Sequence, residues 1–113
     1  MIIWLAVALA LLVTVVTVLA GRGTIPANGL IGIRTPATQR TDETWTEGHK
    51  AATPTLVTLS AVVLVVATVA SVATRQSTAA TADVVGLGLF GVDLVGIVVA
   101  AVRANSTARR HLQ

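Results

Sequence analysis

The side chains able to do chemistry in this 113-residue chain crowd into one polar stretch, Asn28 to His49. It holds Asn28, Gly32, Arg34, Thr35, Pro36, Thr38, Trp45 and His49, with Asp42, Glu43 and Glu47 interleaved. Arg34 has the widest repertoire, because a guanidinium between Gly32 and Pro36 can fork onto a carboxylate or a phosphate. It reads either as an anchor for an acidic partner segment or a lipid headgroup, or as a structural ion pair with Asp42, Glu43 or Glu47. Gly32 is then a close-approach position where any side chain disturbs the loop. Trp45 reads as an anchor at a membrane–water interface in preference to a ligand platform. His49 titrates near neutral pH, but with no carboxylate at metal spacing it reads as a hydrogen-bonded surface group and not as a metal ligand. Outside the stretch, Asp93 is an ionisable group within an apolar run, which makes it a functional candidate by default.

Several chemistries drop out. With no cysteine there is no disulfide framework, zinc thiolate or thiol nucleophile. Catalysis or proton transport built on Asp93, His49 and Arg34 lacks a nucleophile, a metal cluster and a second carboxylate at depth, so the chain is not expected to be an enzyme or to need a cofactor. Gly86-x-Gly88-x-x-Gly91 spells a dinucleotide-binding fingerprint, but it lies inside an apolar run without βαβ context. Asn105-Ser106-Thr107 spells a glycosylation acceptor, yet the charge bias derived below places it in the cytoplasm. A net charge of +3 and a pI near 11.2 invite nucleic acid as a partner. The basic residues, however, stand scattered at the ends of apolar runs with no base-reading neighbours, so they are topology signals and no nucleic-acid partner is expected.

The elements that must position these residues are membrane spans. Mean hydropathy is +0.83 and the apolar residues come in blocks, which marks an all-α membrane protein. The predicted layout is one membrane domain, 1–113, with a first span at 2–20, a motif loop and interfacial helix at 21–54, a second span at 55–74, a third at 83–102 and a frayed polar tail at 103–113. Residues 2–20 are nineteen without a charge, enough to cross about 30 Å of hydrocarbon at about 1.5 Å per residue. Val18 and Ala20 resemble a signal-peptide cleavage site, but no Arg or Lys precedes the run and it is longer than a signal core, so it reads as a span. The third run starts after Asp83, a plausible cap. Its Asp93 costs roughly 3 kcal/mol at the membrane centre, against about 4 to 7 kcal/mol returned by its dozen large apolar residues, so insertion wins. Gly86, Gly96 and Ala100 share a face with Asp93, suited to close helix contact, with Thr14, Thr17, Thr68 or Ser71 as candidate partners for the carboxyl. Seven of the eight Lys and Arg fall on the side of the loop and tail and only Arg75 on the other. The positive-inside bias therefore predicts an external N-terminus, with the motif loop and C-terminus in the cytoplasm of a multi-pass plasma-membrane protein.

Within the loop, Asn28-Gly29 is a turn signal, and Leu30 to Arg34 is apolar enough to pack against the helix ends as an extended segment. Thr35-Pro36 keeps the chain extended. A short helix is predicted from Thr41, with Asp42 and Glu43 in its first turn. Its face of Trp45, His49, Ala52 and Leu56 lies along the membrane surface, and Pro54 kinks it away from the second span or separates the two.

The pattern Asn28-x-x-Ile31-Gly32-Ile33-Arg34-Thr35-Pro36-x-Thr38, then an acidic helix start, Trp45 and His49, with an apolar run on either side, resembles the SdpI/YfhL family of small integral membrane proteins. The likeness is close over about residues 25 to 55 and looser over the three-span layout. It implies immunity: the best-known member type protects a bacterium against a secreted toxic peptide that damages its own membrane, and holds a transcriptional repressor at the membrane when toxin is present. That type has further spans ahead of the motif, and this chain presents the short motif-bearing module. The resemblance thus implies action by binding, with a toxic peptide or a repressor as partner beside the lipid bilayer. It carries a binding role onto Asn28, Gly32, Arg34, Thr35, Pro36, Thr38, Trp45 and His49. A second class stays open from the residues alone: a small accessory subunit that docks on a larger membrane enzyme or transporter through the glycine face of the third run, Gly86 and Gly96.

Overall fold

The computed structural model describes residues 2–28 and 30–113. It consists of three helices, α1 (Ile2–Gly21), α2 (Asp42–Ala73) and α3 (Ala79–His111), each long and apolar enough to cross a membrane. No strand occurs among the described residues.

α1 is apolar on every side but buries only a stripe that includes Ile3, Ala6, Val7, Ala10, Thr17 and Ala20. Leu12, Val65 and Val95, one from each helix, are more than 60% exposed, so the bundle turns large aliphatic side chains outward all round. That surface suits lipid and not water, and the chain is a multi-pass membrane protein in contact with the bilayer. α1 stops in a Schellman motif: Thr24 N–H donates to Leu19 O at 2.9 Å, Gly23 N–H to Ala20 O at 3.1 Å, and Gly23 takes the left-handed φ of +82° that this ending requires.

α2 begins in a reciprocal capping box. Thr44 N–H donates to Thr41 Oγ1 and Thr41 N–H to Thr44 Oγ1, both at 3.0 Å, with Asp42 and Glu43 in the positive first turn. The predicted break at Pro54 does not occur, and the helix is continuous from Asp42 to Ala73. Its buried stripe, Trp45, His49, Ala52, Leu56, Leu59 and Val63, passes Pro54 without interruption, and packing along such a stripe outweighs one missing backbone bond. The amphipathic segment is therefore the first turns of α2, ahead of its apolar spanning part and continuous with it, not a separate helix.

α3 starts earlier than Asp83 would place it, because Thr78 is the cap and accepts from Thr81 N–H at 3.2 Å. It also continues through the expected frayed tail to His111. Ala104 and Ala108 are fully buried there, and Arg109, Arg110 and His111 sit at the negative helix end.

The three helices pack through small residues. A Cβ on Gly86 would lie 2.6 Å from Ile2 Cγ2, and one on Gly96 2.7 Å from Leu59 Cδ2, while Ala6, Ala52, Ala67 and Ala100 are wholly buried. One polar clip joins α1 to α2: Thr14 Oγ1 lies 2.7 Å from Ser60 Oγ and 3.0 Å from the Leu56 carbonyl. At the loop end the helices are staggered. Gly21, the last residue of α1, abuts Lys50 of α2, and Gly48 abuts Ala104 of α3. The first eight residues of α2, about 12 Å of helix, thus extend past the end of α1 together with the last turns of α3. The described residues between α1 and α2 fold back against this protruding part, Ile25 onto Trp45 and Ile33 onto His49.

Candidate functional site

His49 is the centre of that folded-back segment. It is fully buried, and its two ring nitrogens have different partners. Ile33 N–H donates to Nε2 at 2.8 Å, so Nε2 is the bare nitrogen, and Nδ1, 2.7 Å from the Trp45 carbonyl, carries the proton and donates there. This arrangement holds a neutral imidazole. His49 stands before the spanning part of α2, and burial pushes its pKa below the ordinary 6.5, partly offset by the bond to the Trp45 carbonyl. The surface histidine read from the sequence is an internal strut.

Trp45 is also internal, at 1% exposure, and not spread along an interface. Its indole N–H donates to the Ile25 carbonyl at 2.8 Å, and its ring lies 4.3 Å from the His49 ring, centroid to centroid. Gly32 closes the sandwich. A Cβ there would lie 2.8 Å from Trp45 Cη2 and 3.0 Å from His49 Nε2, and its φ of +100° is one that side chains rarely adopt.

The Thr35-Pro36-x-Thr38 segment forms a self-contained turn. Thr35 N–H donates to Thr38 Oγ1 at 2.9 Å, Thr38 N–H donates to Thr35 Oγ1 at 3.1 Å, and Thr38 Oγ1 donates onward to the Ile33 carbonyl at 2.8 Å. Asn28 Oδ1 accepts from both Leu30 and Ile31 N–H at 2.8 Å. The turn expected at Asn28-Gly29 falls in part on Gly29, which lies outside the described residues. The extended, packed segment expected for Leu30 to Arg34 is an irregular bend. Ile33 alone of its three large apolar side chains is buried, whereas Leu30 is 89% and Ile31 47% exposed.

Arg34 stands apart from this economy. It is exposed, and of its two readings the structural pair with Asp42, Glu43 or Glu47 does not form; among the described residues the one ion pair is Lys50 with Glu47 at 3.4 Å. Arg34 lines a groove of about 420 Å³ whose walls are Leu12, Val13 and Val16 of α1, Ile97 and Ala101 of α3, and the 31–35 bend.

Asp93 is fully buried, yet Thr14, Thr17, Thr68 and Ser71 do not reach it, and both its oxygens lack a hydrogen-bond partner. Those four hydroxyls bond elsewhere or not at all: Thr17 donates to Val13 O and Thr68 to Leu64 O. Gly86 and Gly96 face α1 and α2 within the bundle, so that face is already occupied, while Gly88 and Gly91 have open space where a Cβ would point.

Two residues that the sequence reading passed over matter to the site. Thr44 caps α2 and donates to the Thr38 carbonyl at 3.2 Å, and Gly48 lets three segments meet, since a Cβ would lie 3.0 Å from both the Ala104 carbonyl oxygen and Thr38 Cγ2. The signals were a Thr-x-x-Thr box at the helix start and a glycine inside a helical face. No group of His, Asp and Glu able to hold a metal occurs among the described residues.

The model of the SdpI/YfhL protein family matches residues 24–103. No curated protein and no solved structure matches the chain.

Proposed function

Because the chain belongs to the SdpI/YfhL family, we propose that it is an immunity-type membrane protein that neutralises a membrane-active toxic peptide by binding it, with no reaction catalysed. The observation that carries this reading is the division of labour in the motif. Asn28, Gly32, Thr35, Thr38, Trp45 and His49 spend their hydrogen bonds and close contacts on the loop itself, which leaves Arg34 as the motif's exposed, unpaired charge. The motif residues thus build a platform, and Arg34 is the group it presents to a partner.

The seven-to-one distribution of Lys and Arg supports a cytoplasmic platform and an external N-terminus. Since the chain has no cysteine, single-cysteine labelling reads the orientation directly. Gln39 is exposed and therefore suitable, whereas Thr38 is buried. Gln39→Cys is expected to react with an impermeant maleimide only after the membrane is opened; reaction in intact cells reverses the orientation.

The immunity reading is tested by deleting the gene and complementing it. Loss of the gene should sensitise cells to the secreted peptide, and Arg34→Ala should fail to restore protection while accumulating and inserting normally. Full protection by that variant at normal abundance would make Arg34 dispensable. The accessory-subunit alternative must use the outward face of α3 at Gly88 and Gly91, the positions with room for a partner, and predicts a stoichiometric complex that Gly91→Leu releases.

A further inference from the structure

We propose that, while no peptide partner is engaged, the groove between α1 and α3 is a binding site for one anionic phospholipid, its acyl chain lying between the helices and its phosphate on Arg34. The groove is sized and placed for a lipid tail. It runs from the 31–35 bend up to Leu12, nine residues above the end of α1 and so about 14 Å by helical rise. That is close to half of the roughly 30 Å hydrocarbon core, the depth of one leaflet. Its far end is marked by Leu12, 62% exposed on a helix long enough to span, where lipid reaches it without leaving the bilayer.

The lining selects an acyl chain over a peptide. A peptide in hydrocarbon must satisfy every backbone N–H and C=O. The walls offer Leu12, Val13, Val16, Ile97 and Ala101, and the two hydroxyls in the lining are already engaged, Thr17 donating to Val13 O at 2.8 Å and Thr35 Oγ1 accepting from Thr38 N–H at 3.1 Å. An acyl chain has no polar group to satisfy.

The mouth selects the headgroup. Arg34 lines the groove, is exposed, and takes part in no ion pair or side-chain hydrogen bond among the described residues. A guanidinium so placed makes charge-assisted bonds to phosphate oxygens. Leu30 and Ile31, exposed beside it, give the bend an apolar edge that sits among lipid tails with the charge at headgroup level.

The test is native mass spectrometry and thermal melting of the full chain, purified in mild detergent and stripped of lipid. It is then offered phosphatidylglycerol, phosphatidylcholine, lysophosphatidylglycerol, inorganic phosphate or a soluble acidic peptide. One phosphatidylglycerol should be retained per chain and raise the melting temperature more than phosphatidylcholine does. The lyso form should also be retained, and phosphate alone should not. Arg34→Gln, an exposed change, should lower the preference for phosphatidylglycerol over phosphatidylcholine about tenfold. Ala101→Leu, which narrows the groove, should weaken both lipids alike. Equal retention of the two lipids by the unaltered chain, an undiminished preference in Arg34→Gln, or retention of phosphate or acidic peptide in place of lipid would each overturn the assignment.

Discussion

Around His49 the chain gives each buried polar group a partner: Nε2 accepts from Ile33 N–H, Nδ1 donates to the Trp45 carbonyl, the indole reaches Ile25, and Thr38 and Thr44 return their hydroxyl protons to backbone carbonyls. At Asp93, equally shielded, two carboxyl oxygens face no donor. The contrast separates two uses of buried polarity. In the loop the polar groups specify one conformation, since a wrong register would leave several of them unpaired at about 1 to 3 kcal/mol each. Asp93 specifies nothing by hydrogen bonding, and α3 is held in register by the close approaches at Gly86 and Gly96.

The sharpest way to break this comparison is at Gly32. Gly32→Val combines a φ that side chains rarely adopt with overlap against Trp45 and His49, and should cost about 2 to 5 kcal/mol, read as a lowered denaturation midpoint in micelles. A wild-type midpoint would mean that the sandwich does not hold the loop. His49→Ala follows, at about 2 to 4 kcal/mol, because it opens a cavity and orphans Ile33 N–H. Thr38→Val keeps the shape and deletes the hydroxyl, for about 1 to 3 kcal/mol by the same measurement.

Acid provides a fourth probe. The folded chain holds the His49 pKa below 6.5, so between that lowered value and 6.5 the unfolded chain binds a proton that the folded chain refuses. The stability this gives is complete above pH 6.5 and is lost as pH falls through the folded value. Melting scans from pH 8 to 5 should show it, and His49→Gln should flatten the decline. The smallest effect is expected at Asp93: Asp93→Leu should change stability by no more than about 1 kcal/mol, or increase it, since no bond is lost. A loss matching that of His49→Ala would erase the distinction between the two regions.

The spans were legible from composition, since runs of about twenty mostly apolar residues with at most one interior charge admit few other structures in water or lipid. The loop was legible as a place but not as an arrangement. Trp45 and His49 fall on one helical face in any reading, and an apolar face beside a span points first to the membrane surface. Helix periodicity says which residues share a side, not what covers it. The cover is a chain segment sixteen residues earlier, Ile33, docked through a backbone N–H that no residue type advertises. Pro54 misleads for a related reason: the local penalty is visible in the sequence, and the stripe of tertiary contacts that outweighs it is not. Asp93 drew attention to hydroxyls at plausible depth, but depth does not fix rotation, and Thr14 turns to Ser60 instead.

The hydrogen-bond partners of the loop's buried groups all lie between Ile25 and His49, and the clip from α1 to α2 closes at Ser60. Because the ribosome delivers the chain from its N-terminus, a nascent hairpin of α1 and α2 already contains every bond of the motif before Ala79 has been synthesised. The third helix adds none of those bonds and meets the motif by packing alone, at Gly48 against the Ala104 carbonyl.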